Sequence, residues 1–588
     1  MKNRGRKLLV LLTGALLLVS LAGVPAAKAD TDGESGYIPL AADKGTPYAV
    51  VSYLESSGPI QDFLVNLQIK TRAAFPLCDE AEGPAIYIGT AEQLRQRLGA
   101  DAAPVYTQYA FLTVGDDIYI CLAEEDENMA KKILSSFEDS IVKTGDGQYG
   151  VDKAAMGLHD VVAIGEQIPV FETAAGQKNE VHDCGSGNYM IRYSGLDARA
   201  PQEAAAYEAA LRQAGYTLHQ ENAIGENRFS TWYKGDTQIH CNYFAALGEF
   251  RIVYGPKGYL FNTEPVTDYD RAVTPSVSII KGTDNVMCMA VQLADGSFIV
   301  IDGGWDKSTY LSKTLNAGEE NQMEVSYFRD VEADMQTLYD FLKANTPGEG
   351  KPQITWMITH ADPDHIRLPS RFIKDYRDLI DVNMAIYNFP SMYNIGLGES
   401  AGSTNDPLVM TTYAESFIKA VRKYFPDAAH YVYHTGEKMY LPGGDVEFLF
   451  TPEDFYPNPM PWMNHTCGTW RFTLEGTRIM IPGDAEVGLC GQMVAVFGDY
   501  LKSDVLQTNH HGSNGATLEF YRHIDPTVCF WTCQQYHLDH DSRHLGLHPK
   551  YDFNAFLRNS EKVIAHYSNS ETHTVLLPSL EEKPQIAD

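Results

Sequence analysis

The chain is 588 residues long, with 46 Lys plus Arg against 77 Asp plus Glu and a formal net charge of −31. Its 44% apolar and 11% aromatic content is enough to pack roughly three or four domains and excludes wholesale disorder. So acidic a balance disfavours a broad clamp on long nucleic acid, although a small site could still handle one phosphate.

Lys2, Arg4, Arg6 and Lys7 precede the uncharged apolar run Leu8–Val24, and Ala27-Lys28-Ala29 then fits a small-x-small cleavage pattern. This reads as a bacterial-type secretory signal cut before Asp30, without a cysteine at the junction to suggest a lipoprotein anchor. Removing its five basic residues takes the charge from −31 to −36. No later apolar run reaches the roughly 18–20 residues of a spanning helix, so no transmembrane helix is expected in the mature chain. The nine cysteines are scattered and lack zinc-finger spacing; their odd number leaves at least one thiol without an intrachain partner.

From about Thr46 to Gly165, β-rich runs such as Ala85–Ile88 and Ile118–Ile120 alternate with helical patterns, which predicts a small α/β domain. Thr90 and Gln93 have capping-box spacing. Ile133, Leu134 and Phe137 share one face of a helix predicted over Asn128 to Ser140, and Glu124-Glu125-Asp126-Glu127 is its solvated start. From about Pro169 to Pro265 the pattern is α+β, with Tyr207 and Leu211 on a helix that stops at Gly215 and a strand over Glu249 to Tyr254. His182 and His240 stand alone there. A linker from Phe261 to Thr274, rich in Thr, Pro and Asp, leads into the stretch that holds every histidine cluster.

Within that stretch, the strand-like run Ile354–Thr359 feeds His360-Ala361-Asp362-Pro363-Asp364-His365, with four potential ligands in six residues. Imidazole together with carboxylate is the ligand set of a divalent metal centre. Asn464-His465-Thr466-Cys467-Gly468 opens a second β run, and the strand Arg478–Ile481 ends in Pro482-Gly483-Asp484, which places a carboxylate at a strand tip. Asp504–Thr508 then runs into Asn509-His510-His511-Gly512-Ser513. A capped polar turn would account for any one of these, but not for three His/Asp clusters that each follow an apolar strand. The 99 residues between His365 and His465 include a predicted helix over Tyr413 to Tyr424 and a Ser/Asn/Gly-rich loop from Asn394 to Asn405, of the kind that forms lids and substrate walls. Tyr393, Tyr456 and Trp462 are candidates to line a groove or to pack a core.

The order of these motifs resembles the metallo-β-lactamase fold superfamily of metal-dependent hydrolases, and within it the secreted, competence-type hydrolase domains. The likeness spans the whole third stretch. It starts with Gly282-Thr283-Asp284-Asn285 and with Phe298–Asp302 before Gly303-Gly304, similar to the family's opening hairpin and Asp-x-Gly turn. It ends with Gly546-Leu547-His548-Pro549 and a helix. The resemblance implies an α/β fold class: a C-terminal αββα sandwich with metals at one edge, preceded here by two smaller α/β or α+β domains. The expected division is a signal over 1–29, a small α/β domain over 30–165, a small α+β domain with linker over 166–270 and the hydrolase domain over 271–588.

Carried over residue by residue, His360 matches the first signature His, and Asp364 and His365 match ligands of the second metal. Asp484 matches the bridging carboxylate, and His510 or His511 the last His. Asp362 stands where the superfamily at large has His and the competence-type subgroup often has Asp; a carboxylate there makes a harder site. His465, 19 residues before Asp484, has the spacing of the remaining His, at a place where the close subgroup often carries a non-ligating Asn. Two divalent ions are implied, zinc first, with manganese or iron as alternatives and room for a single-metal centre. The implied chemistry is a hydroxide shared by two cations, its parent water brought to a pKa of roughly 7, attacking phosphorus or a carbonyl. Asp364 or Asp362 would orient the nucleophile or pass a proton. His548, Ser513, His544 or Tyr536 would assist from the substrate side, as would the His-rich loop His537 to His544, although His548 before Pro549 equally suits a helix cap.

The resulting expectation is an exported, secreted or envelope-associated phosphodiesterase acting on a small-molecule or cell-wall polymer substrate, with extended nucleic acid disfavoured. The alternatives are a β-lactam, ester or amide hydrolase, or a non-catalytic envelope protein whose front domains bind glycan.

Overall fold

The computed structural model describes residues 37–578 apart from 55, 91–92, 95–108, 115, 123–126, 153–158, 161–167, 174–176, 186–187, 317–321, 391–406, 456–462, 514 and 541–551. The predicted signal, the acidic residues 124–126, the loop 394–405, Tyr393, Tyr456, Trp462, His544 and His548 therefore lie outside the described residues. No helix among the described residues is long and apolar enough to cross a membrane.

The chain first builds a three-stranded antiparallel sheet (Tyr37–Ala42, Gln148–Asp152, Ile141–Gly145) and a five-stranded mixed sheet centred on Asp117–Leu122. Helices Gly58–Thr71 and Glu127–Asp139 cover the mixed sheet through Phe63, Leu67, Ile133, Leu134 and Phe137. The predicted capping box is formed: Thr90 N donates to Gln93 Oε1 at 2.7 Å, and Gln93 N donates to Thr90 Oγ1 at 3.2 Å.

Next comes a six-stranded sheet, antiparallel throughout, ordered Thr217–Ile224, Asn227–Lys234, Thr237–Phe244, Glu249–Pro256, Asn188–Ser194, Gln177–Gly185. Helix Ala200–Gln213 packs on it through Tyr207 and Leu211 and ends before Gly215, whose φ of +87° a side chain would resist.

The third stretch folds into two seven-stranded sheets. The first has the order Ala429–Val432, Asp381–Tyr387, Gln353–Met357, Phe298–Asp302, Cys288–Gln292, Ser276–Ile279, His573–Leu576. The second has the order Lys438–Leu441, Gly444–Phe450, Thr469–Leu474, Thr477–Ile481, Val505–Gln507, Val528–Trp531, Ala565–Ser568. In each sheet, antiparallel pairing on one side gives way to parallel pairing on the other.

The central strands are almost purely apolar because both of their faces are buried. In Phe298–Asp302, Ile299 and Ile301 point between the sheets, where they meet Phe448, Trp470, Phe472 and Ile479, while Phe298 and Val300 point outward. The outer face of the first sheet is covered by helices Val331–Asn345, Pro363–Tyr376 and Pro407–Tyr424. That of the second is covered by Val487–Phe497, Leu518–Ile524 and Asp552–Asn559. The architecture is thus the expected αββα sandwich. The nine cysteines form no disulfide, and eight of them are buried.

Candidate metal centre

The candidate residues gather where strands of both sheets end. Pro363 opens a helix immediately after strand Gln353–Met357 and its loop, with Asp362 at the N-cap position. Proline's missing N–H costs nothing at that point, and the turn sets Asp364 and His365 in the first helical residues. The loop after strand Phe298–Asp302 lies close against this helix: Gly304 N donates to His365 O, Leu368 N donates to Gly304 O, and a Cβ on Gly303 would stand 2.7 Å from Pro369. Strand Thr477–Ile481 delivers Asp484, and strand Val505–Gln507 delivers His510 and His511, both in left-handed backbone at φ of 49° and 55°.

Two overlapping triads result among the described residues, His360–His365–Asp484 and Asp364–His365–His511, each with ligand atoms within 4.8 Å of one another. His365 Nε2 lies 3.1 Å from Asp484 Oδ2 and 3.3 Å from His511 Nε2. His511 Nε2 is 3.4 Å from Asp484 and 3.5 Å from Asp364, while its Nδ1 is 2.8 Å from Thr532 O. That carbonyl fixes the proton on Nδ1 and leaves the Nε2 lone pair facing the carboxylates, the usual arrangement of a metal-binding imidazole. Asp362 Oδ2 is 3.6 Å from His360 Nε2.

His510 stands at the rim, its Nε2 3.8 Å from Asp484 Oδ2 and 3.3 Å from Asn464 Nδ2. His465 is in neither triad; its ring lies 4.9 Å from that of Phe455, and the neighbouring Asn464 lies against His510. Ser513 is half-buried at the end of the His-His-Gly turn. Tyr536 and the buried His537 lie in the short helix Gln535–His540, with the Tyr536 ring 6.0 Å from that of Tyr327.

A residue without an assigned role in the sequence reading holds the cluster from below. Asp302 is completely buried and sits at φ +55°. Its Oδ2 accepts from His365 Nδ1 at 2.7 Å and from Thr359 Oγ1 at 2.6 Å, and its Oδ1 accepts from Thr359 N at 2.8 Å. The signal was its position at the end of an apolar strand before two glycines. Cys467 plays a similar part for Asp484, whose backbone N lies 3.1 Å from the Cys467 sulfur.

Burial opposes charge on His365, but Asp484 and Asp302 overcome it and hold the imidazole pKa well above its ordinary range. Burial likewise works against the Asp484 carboxylate, yet His365, His511 and His510 keep its pKa well below the usual range. In Glu486, burial and then Asp484 and Asp362 push the carboxyl up to about 7.

The residues present fit a divalent metal. His360 Nε2, Asp362 Oδ1, Asp484 Oδ1 and His510 Nδ1 are buried polar atoms without a hydrogen-bond partner among the described residues. Such orphans are costly unless something else satisfies them, and mixed imidazole and carboxylate donors suit Zn, Mn or Fe.

No family model matches the sequence, and no curated protein matches it. Among solved structures, similarity is found to the metallo-β-lactamase fold protein YhfI from Bacillus subtilis, at 10% identity and TM-score 0.28 over 51% of this chain and 99% of that one. A protein of Parabacteroides distasonis described as a metal-dependent hydrolase matches at 11% identity and TM-score 0.25, over 52% of this chain and 99% of that one. CmlA, a diiron β-hydroxylase from Streptomyces venezuelae, matches at 11% identity and TM-score 0.29 over 53% of this chain; the chain spans 55% of the length of CmlA. Sheet order, core layers and site geometry define the class independently of these likenesses: an αββα sandwich with a candidate metal centre at the strand ends.

Proposed function

We propose that this chain is an exported metal-dependent hydrolase that cleaves a phosphodiester in the cell envelope or another extracellular substrate. The observation that carries this reading is the pair of overlapping His/Asp triads built around His365. His360, His365, Asp484, Asp364 and His511 would hold the ions, with Asp362 and His510 at the rim. When bound, such ions supply Lewis acidity and a water acidified towards neutrality. Asp302 and Thr532 keep the His365 and His511 rings turned with Nε2 inward. Asp362 and Asp364 are the cluster's partly exposed carboxylates, at 18% and 25% side-chain exposure, against complete burial for His360 and His365. They therefore meet substrate first, where they orient the nucleophile or carry a proton away. Export rests on the basic and apolar run at Lys2–Ala29.

The test is hydrolysis of bis-p-nitrophenyl phosphate against nitrocefin by purified full-length chain, with Asp364→Ala and Asp484→Ala as controls. Phosphodiester cleavage lost in both variants supports the reading. Cleavage of nitrocefin alone would replace it with the amide-hydrolase alternative, and a chain that retains no transition metal would replace it with the non-catalytic one.

A further inference from the structure

We propose that the six-stranded antiparallel sheet is a positioning element of the metal centre, acting through Arg251 and Phe455, rather than an appended binding module. The catalytic part of this statement rests on the hydrolase reading above; the structural part does not.

The contact between this sheet and the two-sheet body is buried and charged. Arg251 is 1% exposed; it bonds Glu249 Oε2 at 3.0 and 3.1 Å within its own sheet and also pairs with Asp454 of the body. Asp454 Oδ2 in turn accepts from Thr451 N at 2.9 Å and from the Thr435 hydroxyl. Beside this pair, the His240 ring stacks on His434 with centroids 3.6 Å apart. His240 Nδ1 lies 3.2 Å from Glu437, and His434 Nδ1 lies 2.7 Å from Glu453. All of these groups are buried. Buried charges are tolerated only when their partners are held in place, and removal of one partner is strongly destabilising. Ile224, Phe229 and Phe244 of the sheet also join the core beneath helix Val487–Phe497, so the two parts share apolar packing as well.

The clamped segment is the turn Pro452–Phe455. Phe455 packs against Cys184, Met190 and Val253 of the six-stranded sheet and lies 4.9 Å from the His465 ring. His465 belongs to the turn Met463–Thr466, whose Asn464 reaches His510 at 3.3 Å. That turn is closed by Cys467 N donating to Asn464 O at 3.2 Å, and the chain just after it is tied to the centre by Gly468 N donating to Thr359 O at 2.9 Å. Contacts therefore run from Arg251 and the apolar patch, through the turn and Phe455, to the wall against His510.

The experiment uses the full chain with Arg251→Lys, Phe455→Ala and the conservative Phe455→Leu. Hydrogen exchange is read over residues 463–468, with strand Phe298–Asp302 as the internal reference. Phe455→Ala and Arg251→Lys are expected to speed exchange at Cys467 and Gly468 about tenfold with the reference strand unchanged, and Phe455→Leu to restore most of the protection. With bis-p-nitrophenyl phosphate, kcat is expected to fall in parallel while KM holds. Unchanged exchange at 463–468, or equal acceleration everywhere, overturns the proposal. If the wild-type chain cleaves neither model substrate, the hydrolase reading fails, and the exchange result alone decides whether the sheet positions the Asn464–His510 wall.

Discussion

Replacing Asp302 with Asn tests whether the buried carboxylate sets the protonation of the metal-facing imidazole. The side chain serves three donors: Thr359 N, Thr359 Oγ1 and His365 Nδ1. An amide keeps one acceptor oxygen and offers an NH2 in place of the other, so one existing donor must face another donor. If Thr359 N keeps the oxygen, His365 has to carry its proton on Nε2, aimed at Asp484 and the ion. If His365 keeps it, a buried backbone N–H is orphaned. Either outcome costs about 1–3 kcal/mol. Loss of a group that orients a metal-ligating histidine typically costs about 10–100-fold in metal affinity, or roughly 1.4–2.8 kcal/mol, so the two routes agree. Asn tolerates left-handed backbone as well as Asp does, so the φ of +55° at this position adds no strain of its own. Zinc affinity measured by competition with a chromophoric chelator should fall in Asp302→Asn by that factor. Thermal unfolding of metal-free protein should drop more modestly. Wild-type affinity in the variant would refute the orienting role, and lost stability with unchanged affinity would leave Asp302 as packing only.

Gly436 sits at φ +87°, where a Cβ would stand 2.0 Å from the Phe229 ring across the contact with the six-stranded sheet. Gly436→Ala is expected to cost about 2–5 kcal/mol in urea unfolding, combining left-handed strain with overpacking; a cost below about 1 kcal/mol would show that the two parts separate easily. Asp334, whose carboxyl takes bonds from Thr283, is pushed up to about 7, chiefly by burial. A carboxyl with a raised folded pKa binds more protons folded than unfolded, so it removes stability as pH rises from about 4 through about 7. Asp334→Asn should therefore gain on wild type between about pH 4 and about pH 7, by at most about 4 kcal/mol. Parallel stability curves for the two proteins would contradict this.

The parts legible in the sequence were those with local signals. Ile354–Thr359 and Phe298–Asp302 read as strands because burial on both faces demands unbroken apolar runs, and ligand-type residues at their ends mark sites in open sheets. The choice between Asn464 and His465 was not legible. They are adjacent in one tight turn, where successive side chains diverge by about a third of a turn. Asp302 carries only the local mark of a turn; its bond to His365 spans 63 residues and leaves no local trace. His240 stood alone in its stretch, yet it stacks on His434 across the contact between sheets. Long-range pairs of this kind follow from topology, which periodicity does not encode.

The first sheet is completed by strand His573–Leu576, which lies beside Ser276–Ile279 with Ser278 Oγ 2.8 Å from Thr574 Oγ1, across 296 residues. Ser276–Ile279 precedes its neighbour by almost three hundred residues in the chain, so the two meet only when distant parts have come together. Until then it presents an unpaired row of N–H and C=O groups, the surface on which strands of other chains add. Contacts this distant in sequence also close slowly. The seam between these two strands is thus an edge that stays open to mispairing until His573–Leu576 closes it.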